Sequence, residues 1–165
     1  MKFGTKRFSI RTLLIATFIV CVVLAMPVSK ALKQKRGRKW VESQRGHVSF
    51  EFEYDYKNGK YTIPNVPNSL VQLLGVDLFN SVTGVIFDCD PIVDFEPVTD
   101  LRALRSIFVN IEMAEDIDFS PLADLGELKE VHFSAHSLIT RQQFKSLKTL
   151  LPHVNVTAEM YTDKS

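Results

Sequence analysis

The chain has 165 residues, of which 45% are hydrophobic and 24% are charged, which is the length and composition of one ordinary globular domain. These values exclude collagen-like and low-complexity structure, and a count of only two cysteines excludes a disulfide scaffold. The net charge of +1 hides an asymmetry, because residues 1–45 carry eleven Lys and Arg against one acid, whereas residues 46–165 carry nine against eighteen.

The first predicted element is an apolar helix over residues 12–29, which follows a basic tail, residues 1–11. The helical stretch contains no charge, and at about 1.5 Å per residue it nearly matches the hydrocarbon core of a bilayer. We expect an uncleaved single-pass membrane anchor. A cleaved signal peptide is the alternative, but the six basic residues that follow the apolar run favour retention. Four basic residues on one flank against six on the other leave the side of the membrane open.

Residues 30–46 are predicted to be a basic juxtamembrane linker or helix that contacts anionic lipid. Nucleic-acid binding is not expected, because no aromatic recognition motif accompanies the basic residues and the acidic remainder of the chain would repel phosphate. Since this stretch separates the anchor from the next strand, a chain beginning near Gln44 is expected to be soluble and folded.

Residues 47–67 are predicted to form a hairpin cap. His47–Tyr56 alternates apolar and polar residues, which indicates one half-buried strand with an acidic outer face. Asn58-Gly59 is a turn signal, and Tyr61–Ile63 supplies a short return strand.

Residues 68–157 carry an internal repeat. The segment DFEPVTDLRALRSIFV, from Asp94, aligns with DFSPLADLGELKEVHF, from Asp118, at an offset of 24 residues. The apolar frame extends upstream and downstream, with first positions 22, 24 and 22 residues apart. A period of this length with leucine spacing of this kind is typical of leucine-rich repeats. An ordinary α/β domain with coincidental leucine spacing is the alternative.

In this interpretation each repeat is one helix followed by one strand. Leu125 and Leu128, three residues apart, would share one face of a helix, with Ser120 as its N-cap, and Thr140 would form a capping box with Gln143. The predicted fold class is α/β: an N-terminal transmembrane helix, a short hairpin, and about four leucine-rich-repeat-like helix–strand units in a curved solenoid. A tail, residues 158–165, follows.

A resemblance to a known group of proteins supports this organisation. The start RFSIRTLLIATFIVCVVLA resembles the N-terminal membrane segment of many planctomycete-type uncharacterised proteins. GHVSFEFEY and VPNSLVQLLGVDLFNSVTGVIF resemble the entry to their leucine-rich-repeat-like domain, and LKTLLPHVNV is similar to its ending. Asp90, Glu112 and His136 stand where these repeats usually carry Asn or Thr. The resemblance implies an anchored domain built for contact.

No catalytic motif, phosphate-binding glycine loop or Cys–His metal spacing occurs in the sequence, so no enzyme activity, cofactor or metal is expected. His132 and His136 are four residues apart, but they fall on a strand and its following turn, which favours a structural role over zinc binding. The alternative function is a secreted or anchored metal-dependent enzyme that uses the cluster Asp88, Asp90 and Asp94.

The main functional prediction is a membrane-anchored protein–protein interaction module whose partner is a protein of unknown identity. Strand residues between the inward-facing pairs should line an exposed sheet face. These candidate interaction residues are Ile86, Asp88, Phe108, Asn110, His132, Ser134, Asn155 and Thr157. Phe108 is the most suggestive, because an exposed aromatic side chain is a plausible binding anchor.

Overall fold

The computed structural model describes residues 10–55, 60–61, 63–114 and 116–159. Three α-helices and seven strands lie within these ranges. The helices are α1 (Ile10–Ser43), α2 (Asn68–Leu74) and α3 (Arg141–Leu150). The strands are β1 (His47–Phe50), β2 (Tyr54–Asp55), β3 (Lys60–Tyr61), β4 (Val82–Phe87), β5 (Ser106–Val109), β6 (Glu130–Phe133) and β7 (Asn155–Ala158). Short 3₁₀ helices are η1 (Val76–Leu78), η2 (Glu96–Asp100), η3 (Ser120–Asp124) and η4 (Ala135–Ser137).

The main sheet has the order β1-β4-β5-β6-β7. β4 to β7 are parallel and adjacent in chain order, and β1 pairs antiparallel with β4 at one edge. The pairing of β5 with β6 joins Ile107 to Val131, which are related by the 24-residue repeat. The result is a mixed α/β domain with a five-stranded, mostly parallel sheet, preceded by a long apolar helix.

The core lies between one face of this sheet and a second layer of helical segments. Five aromatic rings connect the layers in a row from one repeat to the next, with neighbouring ring centroids 5.8–6.4 Å apart. In spatial order these rings belong to Trp40, Phe87, Phe95, Phe119 and Phe133. Each unit therefore buries its apolar side against its neighbours, as stacked repeats must.

The last third of α1 is part of this core. Val41 is fully buried, Gly37 lies against η2, and the Trp40 ring packs edge-on against Phe87. A Cβ at Gly37 would stand 3.0 Å from Leu101, so the glycine permits the close approach. Residues 30–43 belong to α1 and pack on the domain, so the expectation that this stretch merely separates the anchor from the next strand is corrected.

Polar contacts fix the same helix at the start of β4. The Gln34 side-chain amide donates to the Asn80 carbonyl at 2.7 Å and accepts from the Val82 backbone N–H at 3.2 Å. The Arg38 guanidinium donates two hydrogen bonds to Asp77, and this carboxylate raises the pKa of Arg38. Arg36 forms a bidentate pair with Asp100, 64 residues along the chain. Two of the basic side chains that were predicted to contact anionic lipid, Arg36 and Arg38, thus hold the helix on the domain.

The repeat units differ from the predicted helix–strand pairs. In the two inner units the helical part is a five-residue 3₁₀ helix, whereas α2 and η1 precede β4 in the first unit and α3 precedes β7 in the last. Leu125 and Leu128 do not share a helix face, because both follow η3, in the turn that leads into β6; both are nonetheless buried. The capping box of Thr140 and Gln143 at the start of α3 is confirmed.

The predicted N-cap at Ser120 is wrong, and the capping residue is the aspartate two positions earlier. Asp118 accepts hydrogen bonds from the Ser120 backbone N–H at 2.8 Å and from its hydroxyl at 2.7 Å, which lowers the pKa of Asp118. Asp94 accepts from the Glu96 N–H in the same way. The repeated Asp-Phe-x-Pro motif therefore forms the turn that starts η2 and η3.

The predicted strand His47–Tyr56 is two strands rather than one. β1 ends at Phe50 after an irregularity in its register with β4, and the chain bends at Glu51 and Phe52 before β2. Asn80 bridges this bend, because its side chain pairs with both backbone groups of Phe52. β2 and β3 form the hairpin, whose predicted turn at Asn58-Gly59 lies outside the described residues, as does Thr62 of the return strand.

Candidate binding face

The side of the main sheet that faces away from the core is uncovered by any described element, and we call it the open face. The register places its side chains in two rows across the strands. The first row is Ser49, Gly84, Ser106, Glu130 and Asn155, and the second is His47, Ile86, Phe108, His132 and Thr157. Five of the eight predicted interaction residues therefore lie in these rows.

Three neighbouring side chains of the second row, Ile86, Phe108 and His132, form a surface that we call the ridge. Phe108 is half-buried and stacks on the His132 ring, with centroids 4.7 Å apart and planes at 19°. Ile86, on the adjacent strand, keeps 38% of its surface exposed. The orientation of His132 is fixed on its other side, since Nδ1 lies 2.9 Å from the Thr157 hydroxyl and Nε2 lies 3.5 Å from Glu159. The aromatic pair is thus held in place before any partner arrives.

The first row is lower, because three consecutive strands carry small residues there. Ser49, Gly84 and Ser106 form the floor of a shallow groove of about 380 Å³ that the ridge borders. A Cβ at Gly84 would come within 3.0 Å of the Ser106 hydroxyl and 3.3 Å of the Ser49 Cβ. Glycine at this position keeps the groove deep and avoids tight contacts with the two serine side chains.

Sequence reasoning missed this floor, as well as Glu130 beside it, because it took the outward positions between and after each inward-facing pair and left out the position before the pair. The signal was present: Gly84, Ser106 and Glu130 occupy the alternate strand positions two residues before Ile86, Phe108 and His132. Only Asn155 of that row was predicted.

The remaining predicted residues follow the ends of the strands. Asp88 lies 3.6 Å from His47, and Asn110 accepts a 2.6 Å hydrogen bond from the Ser134 hydroxyl. Ser134 itself is buried, which corrects its predicted exposure. β6 ends at Phe133, so the alternation stops there, and the Ser134 side chain instead caps η4 by accepting from the His136 N–H.

The three carboxylates of the alternative metal site are engaged separately. Asp88 contacts His47, Asp90 lies 3.7 Å from Arg45, and Asp94 caps the turn before η2. Across the described ranges, no group of three or more His, Cys, Asp or Glu side chains is placed to hold a metal ion.

Cys89 provides a chemical test of the geometry at this edge. Its thiol donates a 3.3 Å hydrogen bond to Asp88, and this contact raises the pKa of Cys89. In a Cys21→Ser background, we expect alkylation of Cys89 by iodoacetamide to reach its half-maximal rate at a higher pH than for a free thiol, because the thiolate is the reactive form. Asp88→Asn should move that midpoint to lower pH, and an unmoved midpoint would contradict the hydrogen bond.

The apolar part of α1 stands apart from this domain. α1 is the one helix of the described chain that is long and apolar enough to cross a membrane, and none of its apolar stretch is buried in the protein. A signal sequence near an N-terminus has the same properties.

Fold and site together define a mixed α/β domain with one open sheet face, built onto the end of an apolar helix. Comparison of the chain with protein-family models, curated proteins and solved structures finds no match.

Proposed function

We propose that the protein is a membrane-anchored interaction module that binds a protein partner on the open face and has no catalytic role. The observation that carries the proposal is the ridge of Ile86, Phe108 and His132: an aromatic side chain is displayed on a preorganised sheet surface while the other face of the sheet is fully packed. Rigid aromatic anchors of this kind dominate binding energy in protein interfaces.

The chemistry of the face specifies the kind of partner. The groove of about 380 Å³ has room for one or two apolar side chains beside Phe108. Carboxylates surround it, with Asp88 and Glu159 at the carboxyl ends of the strands and Glu130 in the first row. A partner segment that presents an apolar side chain flanked by Lys or Arg matches this surface, and complementary charge would speed its association.

We further propose that the parallel units are leucine-rich-repeat-like units in a curved solenoid and that α1 is a retained single-pass anchor. Supporting the first point, strand pairing, 3₁₀ helices and capping aspartates all recur at the 24-residue offset. Supporting the second, cleavage within the apolar run would leave six basic residues to cross the membrane, which opposes export of the domain.

Phe108→Ala tests the proposal. We expect the intact chain, extracted from native membranes, to retain its partner about thirtyfold less tightly after this change, because an anchor side chain commonly contributes ~2 kcal/mol or more. Leu150→Ala is the control, since it also truncates a large apolar side chain that reaches the surface, but Leu150 lies on α3, off the open face. Affinity should be measured by titration once the captured protein is identified.

If both substitutions weaken partner binding equally, or if neither weakens it, the partner does not bind on the open face. Titration calorimetry with divalent metals adds a second check, because tight stoichiometric binding that is lost in Asp88→Asn would favour the metal-dependent alternative instead.

A further inference from the structure

The direction of α1 determines which edge of the sheet is nearest the apolar segment. Gln34 contacts the start of β4, whereas Trp40 contacts Phe87 at its end, so α1 and β4 run in the same direction. The apolar residues that precede Gln34 therefore extend beyond the amino-terminal edge of the parallel strands. If α1 is anchored as proposed, this edge of the domain lies against the bilayer.

A cavity of about 780 Å³ opens at that edge, between α1 and the loop that leads into β5. Its apolar side is formed by Ala25 and Met26, which belong to the last turns of the uncharged stretch. Lys30 and Lys33 follow on the same side of the helix, and Arg102 faces them from the loop. At about 1.5 Å per residue, Lys33 lies roughly 6 Å beyond Ser29, which is the depth of the lipid headgroups.

Some of the charged side chains that line the cavity form ion pairs, and others do not. Arg105 lies 3.7 Å from Glu51, and Asp100 is paired with Arg36, so these lining residues are neutralised locally. No ion pair is found for Lys30, Lys33 or Arg102 within the part of the chain that the structure describes. Glu127 is the remaining acid of the lining, which leaves an excess of two positive charges beside an apolar wall.

We propose that this cavity binds one anionic phospholipid, whose phosphate-bearing headgroup contacts Lys30, Lys33 and Arg102 while its acyl chain passes along Ala25 and Met26. The combination requires a ligand that is anionic at one end and apolar at the other, and the bilayer supplies it at that depth. The site is formed jointly by helix and domain, so it is more specific than general attraction of a basic stretch to a charged surface. The inference rests on the proposed anchoring of α1 and is independent of the open face.

The test places the intact chain in phosphatidylcholine nanodiscs that contain an increasing fraction of phosphatidylglycerol. Native mass spectrometry then counts the lipids that stay bound to the protein after it is released from the nanodisc. We expect the wild type to retain one phosphatidylglycerol. Lys33→Gln combined with Arg102→Gln should weaken this retention by about thirtyfold, since each basic residue near an anionic surface contributes about fivefold in affinity. Lys35→Gln combined with Lys39→Gln removes the same charge from exposed positions of α1 that do not line the cavity, and should change retention by about twofold or less.

Equal losses in the two double variants would overturn the site, because the attraction would then be general. Displacement of the lipid by excess inorganic phosphate alone would also overturn it, since a free anion would suffice. A chain that enters nanodiscs yet retains no phosphatidylglycerol contradicts only this inference, whereas one that fails to enter them contradicts the anchoring as well. Unchanged thermal unfolding of the variants establishes that they are folded.

Discussion

A chain that begins at Gln44 will not fold into the domain described above, whereas one that begins at Lys30 will. Deletion of α1 removes fully buried Val41 and the Trp40 ring from the core, and it uncovers Phe87 and Leu101 beneath them. Burying one such side chain contributes about 1.5–3 kcal/mol, so loss of several contacts approaches the ~5–15 kcal/mol by which domains are stable. The deletion also leaves the Val82 N–H without its Gln34 acceptor.

The two fragments should be compared by urea unfolding and by dispersion of amide resonances. The fragment from Lys30 lacks the uncharged stretch but keeps every α1 contact with the sheet and η2 named above, so it isolates the effect of residues 30–43. A cooperative unfolding transition with the same midpoint in both fragments would show that residues 30–43 contribute nothing to the stability of the domain.

The second large effect is expected at the centre of the aromatic row. Phe95→Ala should lower the free energy of unfolding by about 3–5 kcal/mol, the usual cost of truncating a buried phenylalanine. Phe95 is fully buried, with its ring 6.2 Å from Phe87 and 5.8 Å from Phe119, so the cavity would lie between two repeats where neither can close it alone. Urea unfolding of the fragment from Lys30 measures the change.

Phe108→Ala is the matched control for this experiment, because it makes the same chemical change on the open face. Phe108 is only half-buried, so a smaller loss is expected: part of its apolar burial, together with its stacking on His132, which is worth about 0.5–1.5 kcal/mol. If the two substitutions destabilise the domain equally, Phe108 belongs to the packing of the fold, and the open face loses its proposed anchor.

Features that depend on residues close together in the chain could be predicted from the sequence, whereas contacts between distant residues could not. The inward positions Ile107, Val109 and Val131 were identifiable because strand alternation is local and the repeat shows it twice. The capping box at Thr140 was identifiable for the same reason, since its two residues are three apart.

The docking of α1 was not identifiable, because its determinants are distant in the chain. Gln34, Arg36 and Arg38 belong to a stretch that was predicted to contact anionic lipid, and their partners lie 39 to 64 residues away. Burial of Ser134 had a different cause: its hydroxyl satisfies both Asn110 and the first turn of η4, so a polar strand-end residue is buried without leaving a hydrogen bond unmade.

α1 is one continuous helix of 34 residues that contains Pro27, so helix and not a loop joins the uncharged stretch to the domain. β4 runs alongside α1, so under the proposed anchoring the strands would stand close to the membrane normal, apart from the usual tilt of about 20°. The surface of the Phe108 ridge would then face in a direction parallel to the bilayer plane, roughly 15 Å above the end of the uncharged stretch. A second protein anchored in the same membrane could reach such a surface by lateral diffusion. Its own binding surface would have to lie at the same distance from the bilayer, so this distance would restrict the choice of partner before side-chain contacts form.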